Sequence, residues 1–232
     1  MAELRLASTT ATTTLVLLPG FLSAAESYRA LVTQFTGDGA TVVVPQLYPR
    51  GVAALTGRYT VEEEARAAAE LVRRESQAVP RVVLAGHSRG GQAAWRAANL
   101  LAGQGIPAEL VLIDPVDGAG REPTAPTATR DPARFDCPAL IVGAGVGGRC
   151  APEPVNHRVF ASATPRARHV VVRDLGHADI LDGRARSFGR RLCGGATDPD
   201  AGRALVTELL RAALRGDVDA TIAEARGLDV LR

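Results

Sequence analysis

The chain has 232 residues, 46% hydrophobic and 22% charged, which describes a globular protein able to bury a sizeable core and excludes disorder, collagen and coiled coil. Its 27 basic and 25 acidic residues leave a formal charge of +2, too even a balance to predict the broad basic face that nucleic acid or an anionic membrane needs. Every basic residue is arginine, and the three cysteines sit in no zinc-type spacing, so no metal is expected.

The opening MAELRLASTTATTT lacks a basic stretch followed by an apolar one, and no apolar run reaches the ~20 residues of a bilayer span. The expectation is a soluble, cytoplasmic chain with no targeting or integral membrane segment. TTLVLL predicts a strand over Thr13–Leu18, followed by a helix carrying Tyr28, Leu31, Val32 and Phe35 and opened by a capping box of Ser23 and Glu26. ATVVV from Ala40 is the next strand, stopped by Pro45. Thr60 and Glu63 form a second capping box for TVEEEARAAAELVRRESQ, with acids in the first turn and arginines in the last, as the helix dipole favours. RVVLAG (Arg81 to Gly86) is a strand, GGQAAWRAANLLAG a helix behind Ser88, and ELVLID a strand ending at Asp114. CPALIVGAG and ARHVVVRD supply two more strands, and GRALVTELLRAALRG an amphipathic helix with Leu205, Leu209, Leu210 and Leu214 on its stripe. The Pro/Thr/Gly-rich stretch from Asp117 to Asp136 and GVGGRCAPEPVNH are loops after strand ends, and residues from Asp217 stay undecided between helix and tail. Strands alternating with helices predict one α/β domain over residues 1–232, a mostly parallel sheet covered on both faces.

Gly86-His87-Ser88-Arg89-Gly90 has the G-x-S-x-G form of a nucleophile elbow, with a strand before it and a helix after it. A serine hydroxyl attacks only when a base within hydrogen-bond reach takes its proton, and there are four histidines to choose from. His87 sits inside the elbow, where its ring points away from the serine and packs or lines a pocket. His169 lies in a strand pattern and suits a structural role. His177, in DLGHAD after the last predicted strand, follows the serine and the candidate acids in the order serine, acid, histidine, and is the expected base ahead of His157. The acid is open between Asp114, at the end of a buried strand, and Asp117, in a turn-like VDGAG; the strand end is the better-fixed site for orienting an imidazole. Asp174 and Asp182, close to His177 in sequence, suit solvated or capping roles. The backbone N–H groups of Arg89, after the serine, and Phe21, in LPGF after the first strand, are the expected oxyanion donors.

GHSRGG (Gly86 to Gly91), PQLY (Pro45 to Tyr48), IDPVDG (Ile113 to Gly118), CAPEPVNH (Cys150 to His157) and GHADILD (Gly176 to Asp182) together resemble the chlorophyllases, serine esterases that remove phytol from chlorophyll. The similarity runs in order from about Leu15 to Cys193. It implies an α/β-hydrolase fold, no cofactor, and a catalytic triad carried onto Ser88, Asp114 and His177. The implied substrate is a small-molecule hydrophobic ester of the chlorophyll type. Leu22, Asn156 and His157 are candidates for lining its pocket, Asn156 and His157 against a loop-structural role. Cys150 and Cys193 fall where members of that family also carry cysteines, which leaves a disulfide between them open, while Cys137, just before Pro138 at a strand start, reads as a buried thiol. Two alternatives stand beside this reading: a lipase-like or polyester-hydrolase-like esterase acting on another hydrophobic ester, and a non-catalytic carrier of a hydrophobic ligand.

Overall fold

β-Branched and leucine-rich runs form the strands β1 (Glu3–Leu6), β2 (Thr13–Leu18), β3 (Ala40–Pro45), β4 (Arg81–His87), β5 (Glu109–Ile113), β6 (Ala139–Val146), β7 (Arg168–Gly176) and β8 (Leu228–Leu231). They belong to a computed structural model that describes residues 2–47, 60–118 and 124–231. Tyr48 of the PQLY segment and residues 119–123 of the Pro/Thr/Gly-rich loop lie outside the described residues. The strands join in one sheet, in the order β1-β3-β2-β4-β5-β6-β7-β8. The six central strands are parallel, and β1 and β8 pair antiparallel at the two edges.

The helices are α1 (Arg29–Gly37), α2 (Val61–Glu75), α3 (Arg89–Ala102), α4 (His157–Ala163), α5 (Gly183–Cys193), α6 (Pro199–Arg215) and α7 (Val218–Glu224). Side chains alternate across each strand, so a sheet covered on both sides buries both sets. Leu15 and Leu17 pack on one side with Phe35 of α1 and Leu209 and Leu210 of α6. Val16 and Leu18 pack on the other with Leu71 and Val72 of α2 and Trp95 of α3. Helix α2 begins as expected: the Thr60 hydroxyl accepts from the Glu63 N–H at 3.2 Å, and the Glu63 carboxylate accepts from the Thr60 N–H at 3.3 Å.

The expected box at Ser23 and Glu26 does not form. The chain enters α1 through a 3-10 turn, Ala25–Tyr28, whose N-cap is Ala24 and makes no side-chain cap bond, while Glu26 pairs with Arg29 at 2.7 Å. The residues from Asp217 resolve into α7 and the edge strand β8. The edge strands β1 and β8 and the helices α4 and α5 are hard to read from the sequence: the edges are only four residues long and each is interrupted by charge, and α5 is rich in arginine and glycine.

From β2 the chain runs outward to β3 and returns to β4 on β2's other side. Such a reversal opens a crevice at the C-terminal ends of the two strands, the usual ligand position in open parallel sheets. The turn after β2 carries Phe21 and the turn after β4 carries Ser88.

Candidate active site

Ser88 occupies the one-residue turn between β4 and α3 with φ 55° and ψ −126°, a left-handed conformation that costs about 1–3 kcal/mol and persists only where its surroundings over-determine it. Here they do. A Cβ at Gly86 would collide with the Gly90 carbonyl, and one at Gly90 with the Leu18 carbonyl, so the elbow closes against β2 only with glycine at both places. The Ser88 N–H donates to the Ile113 carbonyl at 3.1 Å, and the Ser88 carbonyl accepts from Gly91 and Val116.

The Ser88 hydroxyl donates to His177 Nε2 at 2.9 Å, and His177 Nδ1–H donates to Asp114 Oδ2 at 2.7 Å. Three residues 26 and 63 positions apart in sequence thus form one hydrogen-bonded line. Asp114 follows the last residue of β5 with φ 40°, and its other oxygen accepts the Ala144 N–H at 3.0 Å. Burial alone would raise the Asp114 carboxyl, but the hydrogen bond and charge of His177 and the Ala144 amide outweigh it and hold it below its ordinary value. Asp114 is therefore an ionised acceptor that fixes the Nδ1–H tautomer of His177 and leaves Nε2 free to take a proton.

Asp117, the other acid considered, is committed elsewhere. It is fully buried and accepts from the backbone N–H groups of Thr127, Ala128 and Thr129, the hydroxyls of Thr127 and Thr129, and Gln92 Nε2, at 2.7 to 3.1 Å. It anchors the Pro/Thr/Gly-rich loop onto α3.

His87 does more than pack. The His177 carbonyl can only accept, so His87 Nε2 carries the proton and donates to it at 2.8 Å. His87 Nδ1 is then the acceptor, and takes the Tyr28 hydroxyl at 2.7 Å. The Tyr28 oxygen in turn accepts the Gly20 N–H at 2.9 Å. Burial, with the neighbouring His177 adding to it, pushes the His87 imidazole down to about 3, and burial raises the Tyr28 phenol, so both are neutral near pH 7. This relay joins the turn after β2 to the backbone of His177. A second link joins α2, the Ser88 turn and the turn after β2: buried Glu64 of α2 pairs with the Arg89 guanidinium at 2.9 Å, which lies 5.4 Å from the centre of the Phe21 ring. The two residues expected to donate to an oxyanion are thereby held together through their side chains.

The loop that carries His177 is pinned by Asp179, whose buried carboxylate accepts the Gly176 N–H at 2.7 Å and pairs with Arg190 of α5 at 2.6 Å. Sequence reasoning missed Asp179, Tyr28 and Glu64. In the sequence Tyr28 reads as one more apolar position of a helix, Glu64 as one of three acids in a first turn, and Asp179 only as part of the DLGHAD and GHADILD segments around His177.

Leu22 lies beside Phe21 with φ 63° and its side chain exposed. The Asn156 side chain caps α4 by accepting the Arg158 N–H at 3.0 Å. His157 is buried and hydrogen-bonds through Nδ1 to His169 Nε2 at 2.7 Å. Asn156 and His157 border a cavity of about 260 Å³ that Asp114 lines and that Ser88 and His177 do not. The Cys150–Cys193 disulfide is present, and Cys137 is half-buried, its thiol pushed up to about 11 by burial.

Among solved structures, the chain is similar to a ferulic acid esterase from Streptomyces cinnamoneus, with 17% identity and a TM-score of 0.65 over 97% of this chain and 75% of that one. It is similar to the metagenome-derived lipolytic enzymes LipS and LipT, with 18% identity and a TM-score of 0.60 over 91% and 97% of the two chains. It also resembles the RedJ thioesterase of Streptomyces coelicolor, with 20% identity and a TM-score of 0.54 over 77% and 84%. These likenesses show the α/β-hydrolase fold. No curated protein matches the chain. The chlorophyllase family model matches residues 7–226, which hold the six parallel strands and every residue of the hydrogen-bonded line, and the chain belongs to the chlorophyllase family.

Proposed function

We propose that this protein is a serine carboxylic-ester hydrolase acting on a hydrophobic ester, with chlorophyll, a tetrapyrrole propionate joined to phytol, as its substrate. The observation that carries this reading is the unbroken line from Ser88 through His177 to Asp114. Ser88 Oγ attacks the ester carbonyl carbon while its proton passes to His177 Nε2, and Asp114 stabilises the resulting imidazolium. The Phe21 and Arg89 N–H groups hold the oxyanion; losing one such donor costs about 3 kcal/mol of transition-state stabilisation. The tetrahedral adduct collapses as His177 returns the proton to the departing alcohol oxygen. Water, deprotonated by the same imidazole, then releases the acid from Ser88. Every step is proton or acyl transfer, and none calls for a cofactor. Leu22, exposed next to the Phe21 donor, is positioned to meet the apolar part of the substrate, whereas the bonds of Asn156 and His157 favour structural roles.

A fluorophosphonate labels Ser88 stoichiometrically on this reading and leaves Ser88→Ala untouched; a folded wild-type protein that stays unlabelled overturns it in favour of a non-catalytic binder. Chlorophyll a incubated with the enzyme yields chlorophyllide and free phytol by chromatography, and none with Ser88→Ala. A second reading keeps the same residues and changes the ester. It is favoured by the likeness to an esterase of ferulic acid, to lipolytic enzymes and to a thioesterase. Cleavage of a triglyceride, feruloyl ester or thioester with chlorophyll untouched would select it.

A further inference from the structure

Helix α5 inverts the usual arrangement of side chains. Its inner row is small: Ala185 packs on the core, a Cβ on Gly189 would collide with the Ala178 side chain, and Cys193 is buried in the disulfide. Its largest apolar residues, Phe188 and Leu192, one turn apart, face outward, 70% and 53% exposed. A helix that only covered the core would bury these two and expose the small ones.

The charges divide in the same way. Helix α5 carries four arginines and no acid. Arg186 pairs with Asp200 and Arg190 with Asp179, and Asp182, at the helix start, pairs with Arg203. Arg184 and Arg191, which flank Phe188 and Leu192, make no ion pair among the described residues. The outer face is therefore an apolar ridge between two unneutralised guanidinium groups.

This helix is fixed beside the crevice. At its start, the Asp182 N–H donates to the Ser27 carbonyl and the Asp182 carboxylate accepts the Ala30 N–H, both at 2.7 Å. At its end, Arg149 donates to the Leu192 carbonyl and Cys193 is bonded to Cys150. The two ends are thus tied to the segments that follow β2 and β6, on either side in the strand order of β4, which leads into the Ser88 turn.

We propose that the outer face of α5 docks on an anionic lipid surface, Phe188 and Leu192 entering the acyl boundary and Arg184 and Arg191 meeting the headgroups, so that a membrane-dissolved ester reaches Ser88 from the bilayer. Aromatic and leucine side chains with flanking arginines are the chemistry of a helix lying in an interface, and anionic headgroups are what unpaired guanidinium groups attract. Delivery to Ser88 rests on the hydrolase reading; docking itself does not.

The test sediments Ser88→Ala protein with vesicles of phosphatidylcholine alone and of phosphatidylcholine mixed with phosphatidylglycerol. The expected result is binding to the anionic vesicles, weakened about tenfold or more on neutral ones or in high salt. The pair Phe188→Ser/Leu192→Ser and the pair Arg184→Gln/Arg191→Gln, each in the Ser88→Ala background, lose binding by about tenfold or more. The same pairs in the active enzyme hydrolyse a soluble p-nitrophenyl ester at the wild-type rate, which also shows them folded. Absence of binding to either vesicle, or binding unchanged by Phe188→Ser/Leu192→Ser, overturns the proposal. So does a dimer in solution that this pair dissociates, which would make a second copy the occupant. An active esterase that ignores vesicles removes docking and leaves the function; a vesicle-binding protein inert to esters and fluorophosphonate does the reverse.

Discussion

Asp114 and Asp117 lie three residues apart, both buried, and their partners give them different work. Asp114 faces an imidazole, Asp117 a set of amides and hydroxyls. Asp114→Asn is expected to lower kcat by about three to four orders of magnitude with the fold intact, because an amide does not hold the Nδ1–H tautomer. Asp117→Asn is expected to leave kcat within a few-fold while lowering stability by roughly 2–3 kcal/mol, as a neutral group replaces a charged acceptor; paired kinetics and urea unfolding check both. At Tyr28 the effect should be catalytic. Tyr28→Phe strips the donor from His87 Nδ1 and the acceptor from the Gly20 N–H, loosening the histidine and the turn that carries Phe21 together. A fall in kcat of roughly ten- to a hundredfold with KM nearly unchanged is expected in steady-state assays. His87→Gln, whose amide N–H can still reach the His177 carbonyl, should retain more of kcat than His87→Leu.

Single elements matter here for what they hold in place. The α3 N-terminus supplies the turn that presents Ser88, β5 ends where Asp114 is needed, and α5 pins the His177 loop through Arg190 and Asp179 while the disulfide fastens its far end. Cys150 and Cys193 are 43 residues apart, and closing a loop of that size stabilises by about 4 kcal/mol in the chain-entropy model. Replacing both by serine should lower the unfolding free energy by up to that amount in urea titration. The loss of kcat on a soluble ester should be smaller than that of Tyr28→Phe, since no hydrogen bond to His177 is removed. Native thiol titration should meanwhile find Cys137 slow to react, its thiolate suppressed by burial.

Across the whole molecule, buried histidines set the response to acid. An unfolded histidine takes up a proton near 6.5, whereas folded His87 does so only near 3 and His169 near 4, with His157 lowered as well, in each case chiefly through burial. Between those values the unfolded chain binds more protons, so stability is complete above about pH 6.5 and declines as pH falls toward 4. Asp114 and Asp117, held below the ordinary carboxylate value, add to the loss only at lower pH. Melting temperature measured across pH 4 to 8 should show this decline, and His87→Gln should flatten it. Net charge, near zero for the chain as a whole, also hides a local surplus: the sequence composition argues against an anionic surface as partner, and the outer face of α5 is where that average fails.

The order of the central strands and helices, the sharp turn at Ser88 and the approach of His177 to it are legible in the sequence, because burial on both sheet faces demands continuous apolar runs and a strand-to-helix serine turn demands glycine at fixed offsets. That Asp114 and not Asp117 meets His177 is legible only as a preference, since both follow the same strand and a chain order says nothing about which carboxylate an imidazole meets. Tertiary structure alone decided the edge strands, the Tyr28–His87 relay, the Glu64–Arg89–Phe21 link and the outward face of α5. Each depends on groups distant in sequence meeting in space, and local periodicity carries no information about such encounters.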